Sequence, residues 1–386
     1  MPKTKAFQFI DNHREEMLDL WRDLVNQESG SAYKEGVDKV QAKIKAVLAA
    51  EGAAVQIIEY AKAGNMLVAE IGRGRPKPAV IFSGHSDTVF KTGTIKERPF
   101  TIKDGKAYGP GVLDMKGGIV AFLYAIKALN AAGYAERPLK VLLAGDEEIG
   151  HAHSNAAEVF MKEAAGCAAA FNCETGFLDN AIIVGRKGVG AFDMEVRGVA
   201  AHAGNEPEKG RSAILEIAHK VIDVENLTDW AAGTTFNVGV IEGGTVRNAK
   251  PDYAKIQIDV RFVSEDAIPK FTGQLNEIAA KTYVPGTATT LTGGASFKPM
   301  QTTDGVKRLF ELVKQVSIEN GFGVPYPATS GGGADSAYTV MAGVPTVCAM
   351  GVKGGRNHTP EEFAVVETLF ERAKLLAACA LNLARL

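Results

Sequence analysis

The sequence predicts an α/β protein: a largely parallel, helix-covered sheet domain interrupted by a smaller α+β domain. Three observations carry that expectation. Short apolar runs alternate with helical patterns through the first third of the chain, and strand–helix–strand spacing calls for right-handed crossovers. A matching block of helices around an apolar strand closes the chain. Between the two blocks, strands alternate apolar and polar residues, as in a sheet with one covered and one exposed face. The 386 residues are too many for one typical domain and suit two. The expected boundaries are 1–187 plus 295–386 for a discontinuous first domain and 188–294 for the inserted one.

Taken in order, Phe9, Ile10, Leu18, Trp21, Leu24 and Val25 recur at helical spacing, as do Val40, Ile44, Val47 and Leu48. The runs AVIF (79–82), KVLLA (140–144) and AAAF (168–171) read as strands. A helix from the Gly117–Gly118 region to about Asn130 separates the first two. In the inserted domain GAFDMEVRG (190–198), TFNVGVIEGG (235–244) and AKIQIDVRF (254–262) read as strands, with helices over 211–226 and 267–282. The closing block has helices over 304–320, 334–342 and 364–385, and the apolar strand PTVCAM over 345–350.

Composition excludes several classes. With 46% hydrophobic and 23% charged residues the chain is an ordinary globular one, and a net charge of −2 creates no field for nucleic acid or an anionic membrane. No apolar run approaches the roughly 20 residues of a membrane span. No secretory signal is visible at the N-terminus, although one already removed would leave no trace. The four cysteines form no CxxC pair or disulfide framework. Cys173 reads as a buried small hydrophobe, and the compartment as reducing, most simply cytoplasm.

The residues that carry chemistry stand just beyond the expected strands. His85 and Asp87 follow AVIFSG, Glu147 and Glu148 follow VLLAGD, Glu174 follows AAAFNC, and His358 lies beyond PTVCAMG. In open α/β sheets that edge is where sites are built. With Asp114, between Gly109, Gly111 and Gly117–Gly118, they form a His-and-carboxylate set able to hold two divalent metals, a hydrolytic arrangement. Each residue also has a plainer reading. His85-x-Asp87 alone is most often a turn histidine with a capping aspartate, although an aspartate here could orient a metal-binding imidazole. Asp114 could equally be a helix N-cap. Glu147 and Glu148, in an extended segment, would face opposite ways and take different jobs, one ligand and one base. His151 and His153 read as surface or capping histidines, since Gly150 leads away from the strand. His202 is a polar loop histidine or a donor to an oxyanion. The glycine-rich stretches fit no nucleotide-binding motif, but Gly331, Gly332 and Gly333 precede a helix and could receive a substrate carboxylate.

Taken together, GHSDTV, YGPGVLDMKGG, DEEIG, ETG, GVAAHAG, DVRF, SGGGADSA and NHTPEE, in that order, resemble the dinuclear zinc M20 metallopeptidases, most closely their glutamate-carboxypeptidase-like branch. The resemblance runs nearly end to end. It implies two Zn²⁺ per chain bridged by Asp114, with His85 and Glu174 completing one site and Glu148 and His358 the other. It implies Glu147 as general base and then acid, and Asp87 as the residue that orients His85. His202, Asn248 and Arg261 match positions that touch substrate in an inserted lid domain, through which such chains form homodimers. Co²⁺ or Mn²⁺ would also suit a carboxylate-rich site. The implied activity is cleavage of an amide next to a C-terminal amino acid with a free carboxylate, in a small peptide or an N-acyl amino acid. An N-acyl-amino-acid deacylase on the same site is the nearest alternative, and a non-catalytic carboxylate-binding protein a more distant one. One departure bears on substrate: where glutamate-releasing members tend to carry arginine, this chain has Gly293, Gly294 and Ala295 with only Lys298 nearby.

Overall fold

The structure, a computed structural model, describes residues 2–386. The chain divides into two compact units. One comprises Met1–Gly185, Thr302–Thr329 and Ala334–Leu386, the other Arg186–Gln301 and Ser330–Gly333. The second unit thus extends past residue 294 and takes in a short distant segment. Ala288–Phe297 is a single strand paired along Gly188–Arg197, which carries the unit beyond Gly293–Gly294. Lys187 N–H donates to Ser330 O at 2.9 Å, tying the distant segment in.

The first unit is built on a six-stranded sheet in the order Ala54–Ile58, Gly64–Ile71, Leu139–Gly145, Val80–His85, Ala169–Asn172, Thr346–Val347. The last four strands run parallel. The first two join antiparallel, so the sheet is mixed rather than uniformly parallel. Val80–His85 is buried at every position, as a strand covered on both faces should be. The helix Gly117–Ala131 crosses between Val80–His85 and Leu139–Gly145 and is apolar nearly all round. It packs against Glu367–Leu381, a second helix buried on most sides.

PTVCAM is shorter as a strand than its apolar run suggests: only Thr346–Val347 pair with Ala169–Asn172. Cys348 already bridges to Ile183, and Ala349 takes a positive φ of 64° that turns the chain away. A second sheet, of five short strands, follows from this turn: Thr101–Lys103, Lys106–Tyr108, Phe363–Val365, Lys353–Gly355, Gly176–Phe177. His358 sits in the loop between two of them.

The second unit is an antiparallel four-stranded sheet, ordered Thr235–Gly243, Tyr253–Phe262, Gly188–Arg197, Ala288–Phe297, with helices Ala213–Glu225 and Ala267–Ala280. Along Tyr253–Phe262 every second residue is buried, the alternation of a sheet covered on one face. Phe192, Met194, Val196, Ile256, Ile258 and Val260 meet Ile217, Phe271 and Leu275 of the helices in its core. No helix among the described residues is long and apolar enough to cross a membrane.

Candidate metal centre

Three neighbouring parallel strands end together, and their ends deliver the site. His85 is the last residue of its strand, Glu147 follows Gly145 by two residues, and Glu174 follows Asn172 by two. His85 Nε2 lies 3.2 Å from Asp114 Oδ1 and 3.4 Å from Glu174 Oε1. His358 Nε2 lies 3.1 Å from Asp114 Oδ2 and 3.3 Å from Glu148 Oε2. Two groups of potential ligands result, His85–Asp114–Glu174 and Asp114–Glu148–His358, each with its donor atoms within 4.8 Å of one another. Asp114 belongs to both and turns one oxygen to each.

The donor set fits a pair of cations. It consists of two imidazoles and three carboxylates, suited to divalent metals. Glu148 Oε1 is buried with no hydrogen-bond partner in the structure, an arrangement that a bound cation would satisfy.

Asp114 is not a helix cap. The helix Gly117–Ala131 starts after Lys116, and no side chain caps it. The turn before it, from Gly111 at φ 73°, instead presents the carboxylate to the two histidines, and the Asp114–Met115 peptide is cis. Glu362, fully buried, holds that turn: Oε1 accepts from Leu113 N–H (2.7 Å) and Asp114 N–H (3.0 Å), and Oε2 from Gly111 N–H (3.1 Å). Gly118 permits the close approach of the helix to the strand ends. A Cβ there would stand 1.9 Å from Cys173 O.

Glu147 and Glu148 do not lie in an extended segment as the sequence suggests. They begin a single 3₁₀ turn, Glu147–Ile149, whose first two N–H groups bond to Asp87. Asp87 Oδ1 accepts from Glu147 N–H and Oδ2 from Glu148 N–H, both at 3.1 Å, and Ser31 Oγ donates to Oδ2 at 2.7 Å. The same aspartate faces His85 Nδ1, which lies 3.1 Å from Asp87 O and 3.4 Å from Oδ1. The two glutamates still diverge: Glu148 reaches His358, whereas Glu147 is not among the ligand groups.

Charge is concentrated here. Burial pushes the Glu147 carboxyl well above the ordinary range; the His85 charge opposes this, and Glu174, Asp335 and Glu148 reinforce it. For Asp114, burial acts upward, but bonds to His358 and His85 overcome it and hold the carboxyl far below its usual range. His358 is pushed up to about 10 by its bonds to Asp114 and Glu148.

His151 is not on the surface. It is 8% exposed and lies between two buried carboxylates, Asp146 and Asp335. Its sequence neighbourhood gives no hint, because Asp335 is far away in the chain. His153 is exposed. Glu362 and Ser31 were likewise beyond sequence reasoning, since their partners are main-chain N–H groups and a carboxylate from distant segments. Cys173 is buried and free, as read from the sequence.

The remaining candidates belong to the second unit. His202 and Asn248 stand together on a small ribbon, Ala201–His202 paired with Ala249–Lys250, where Ala203 N–H donates to Asn248 O at 2.9 Å. Both are exposed. His202 Nδ1 accepts from Gly204 N–H (3.2 Å) and Asn205 N–H (3.0 Å), so in the neutral ring Nε2 carries the proton and is a donor. Arg261 is already engaged: Nε and Nη2 pair with Asp259 at 2.8 Å each, and Nη1 donates to Gly331 O at 3.1 Å. Arg186 Nη1 donates to Gly332 O (3.2 Å) and Gly333 O (3.1 Å). The carbonyls of the glycine loop are thus held by two arginines. In a trans peptide the N–H opposes the carbonyl, so the Gly333 N–H points away from Arg186.

Residues 81–382 match the description of peptidase family M20/M25/M40. The chain belongs to this family. Carboxypeptidase G2 from Pseudomonas sp. (strain RS-16) is 27% identical to it over 382 residues, spanning 98% of this chain and 91% of that protein. A succinyl-diaminopimelate desuccinylase from Acidiphilium cryptum (strain JF-5) is 28% identical over 374 residues, spanning 92% and 95%. Among solved structures, aminopeptidase PepT from Bacillus cereus ATCC 10987 shares the fold, with a TM-score of 0.79 at 22% identity, covering 96% of this chain and 99% of that one. M20 membership supports metal-dependent amide hydrolysis as the activity class.

Proposed function

We propose that this protein is a two-metal amide hydrolase of carboxypeptidase type. It would cleave a small peptide or N-acyl amino acid next to a C-terminal residue with a free carboxylate. The observation that carries the reading is Asp114, which turns one oxygen to His85 and Glu174 and the other to Glu148 and His358. In this reading those five residues hold two divalent cations, Zn²⁺ by preference, with Co²⁺ or Mn²⁺ as substitutes. Two such cations, when bound, supply Lewis acidity, lowering the pKa of water and polarising the amide carbonyl.

The chain's own residues do the rest. Glu147, with a carboxyl whose proton affinity burial has raised, takes a proton from water as the oxygen bonds to the amide carbon. It returns that proton to the amine nitrogen as the C–N bond breaks. Asp87 keeps His85 oriented and the Glu147–Glu148 turn in place. His202 offers its Nε2–H to the developing oxyanion, beside Asn248. Carboxylate recognition falls to the Gly331–Gly333 loop together with Arg261. Because Asp259 occupies the Arg261 fork, the loop N–H groups carry more of it than the sequence suggests. We place the protein in the cytoplasm, in keeping with four cysteines that show no CxxC pair or disulfide framework in the sequence.

An N-acyl-amino-acid deacylase is the second reading, favoured by the likeness to a desuccinylase and by the lack of arginine at Gly293, Gly294 and Ala295. A panel of dipeptides and N-acyl amino acids, each with a free and a blocked C-terminal carboxylate, separates the two. Cleavage of free-carboxylate dipeptides supports the carboxypeptidase reading. Cleavage confined to N-acyl substrates supports the deacylase, and indifference to blocking overturns carboxylate recognition.

A further inference from the structure

His151 occupies an unusual position for a residue outside both ligand groups. Its Nδ1 lies 3.0 Å from Asp146 Oδ1 and its Nε2 2.6 Å from Asp335 Oδ1. Its backbone, at φ 57°, donates to Asp146 O at 3.0 Å, and its ring lies 5.8 Å from that of Tyr338. Asp146 immediately precedes the Glu147–Ile149 turn, and Asp335 immediately precedes the helix Ser336–Met341. Both aspartates are essentially buried, and each has a second oxygen, Oδ2, with no hydrogen-bond partner in the structure. Ser154 Oγ gives Asp146 Oδ1 one more bond, at 2.8 Å.

A ring that bonds two ionised carboxylates through both nitrogens donates through both, so it is an imidazolium. Burial opposes that charge, but Asp335 and Asp146 outweigh it and push His151 up to about 10. The result is a charged strut between two segments distant in sequence. One end holds the residue in front of Glu147. The other holds Asp335, a carboxylate whose charge acts on Glu147. A general base works only if its carboxylate is held to within a fraction of an ångström, and charged hydrogen bonds in a buried setting hold more firmly than neutral ones.

We propose that His151 is a positioning residue for the proposed base Glu147, acting by bracing the Glu147–Glu148 turn against Asp335. This rests on the reading of Glu147 given above. His151 belongs to neither ligand group; it would act through the turn.

The test uses the metal-loaded protein and four variants: His151→Gln, Asp335→Ala, the double variant, and Glu147→Gln. Metal content, melting temperature, kcat and KM are measured on one cleaved substrate. We expect each single change at 151 or 335 to lower kcat by roughly 10- to 100-fold, the range seen when the outer partners of site residues are lost, with KM moved less than about 3-fold and metal content unchanged. The double variant should be no slower than the worse single one by more than about 3-fold, because both changes break the same brace. Should His151→Gln fail to fold, Asp335→Ala carries the test alone. A folded, metal-loaded single variant with kcat within about 2-fold of wild type, or losses that multiply in the double variant, would overturn the proposal. Glu147→Gln separates this from failure of the underlying reading. If it keeps near wild-type activity, Glu147 is not the base. If it is inactive while His151→Gln is not, only the brace is wrong.

Discussion

In the proposed two-metal reading, a single carboxylate, Asp114, would be shared by both cations. Its two oxygens face different histidines, 3.2 Å and 3.1 Å away. Asp114→Ala should therefore lower the affinity of both positions, whereas Glu174→Ala should weaken one, dropping metal content from about two per chain to about one. Metal analysis after dialysis against a weak chelator checks this; equal losses in the two variants would count against a shared ligand. His151 makes a prediction about pH. Its pKa rises from an ordinary 6.5 to about 10 on folding. The imidazolium thus contributes stability that is fully present below about 6.5 and is lost as pH rises through about 10. The melting-temperature gap between wild type and His151→Gln should be widest near pH 6 and shrink toward pH 10. A gap that stays flat or widens would mean that His151 is not held charged. Such residue-scale features divide by what sequence can express. His85, Glu147, Glu148 and Glu174 were legible because each trails an apolar strand. His151, Ser31 and Glu362 were not, because their roles lie in bonds to Asp146, Asp335, Asp87 and the 111–114 turn, formed only when distant segments fold together.

At the scale of elements, helix and strand positions followed from periodicity, and short connecting structure did not. The Glu147–Ile149 turn has its first two N–H groups bonded to Asp87, sixty residues upstream of Glu147, a partner that local pattern does not show. Lys353–Gly355 and Phe363–Val365 are too short to show alternation, yet their hairpin carries His358. The helix Ala213–Glu225 hides another such case. Glu216 and Lys220, spaced i, i+4, are both fully buried, 3.1 Å apart. Lys220 Nζ donates to Ile278 O and Ala279 O at the end of Ala267–Ala280, while Glu216 Oε2 accepts from Tyr283 N–H and Val284 N–H. The pair closes the end of the second helix and the turn after it. Lys220→Met leaves a buried carboxylate without its partner and should cost about 3–5 kcal/mol. Urea unfolding followed by circular dichroism measures it, and a loss below about 1 kcal/mol would show that the pair does not hold this turn.

For the whole molecule, the two-part organisation was legible from the change between parallel-type and alternating strands. The inclusion of Ser330–Gly333 in the second unit was not, since arginines 186 and 261 hold that loop through its carbonyls. The homodimer that the family resemblance implies would have a candidate face on the second unit. Ile214, Leu215 and Ile222 of one helix are exposed, as are Val240 and Ile241 on the edge strand Thr235–Gly243. An apolar edge strand invites pairing with another copy. Ile222→Asp combined with Ile241→Lys should convert a dimer into a monomer in sedimentation, while a monomeric wild type would remove the proposal.

The measurement that bears most directly on the two-metal amidase reading is metal content and amide hydrolysis of wild type beside Glu147→Gln. About two divalent metals per chain are expected in both, with hydrolysis in the variant reduced by roughly 10²- to 10⁴-fold. A variant that binds both metals and still cleaves at near wild-type rate, or a wild type that holds no metal after supplementation, would contradict it.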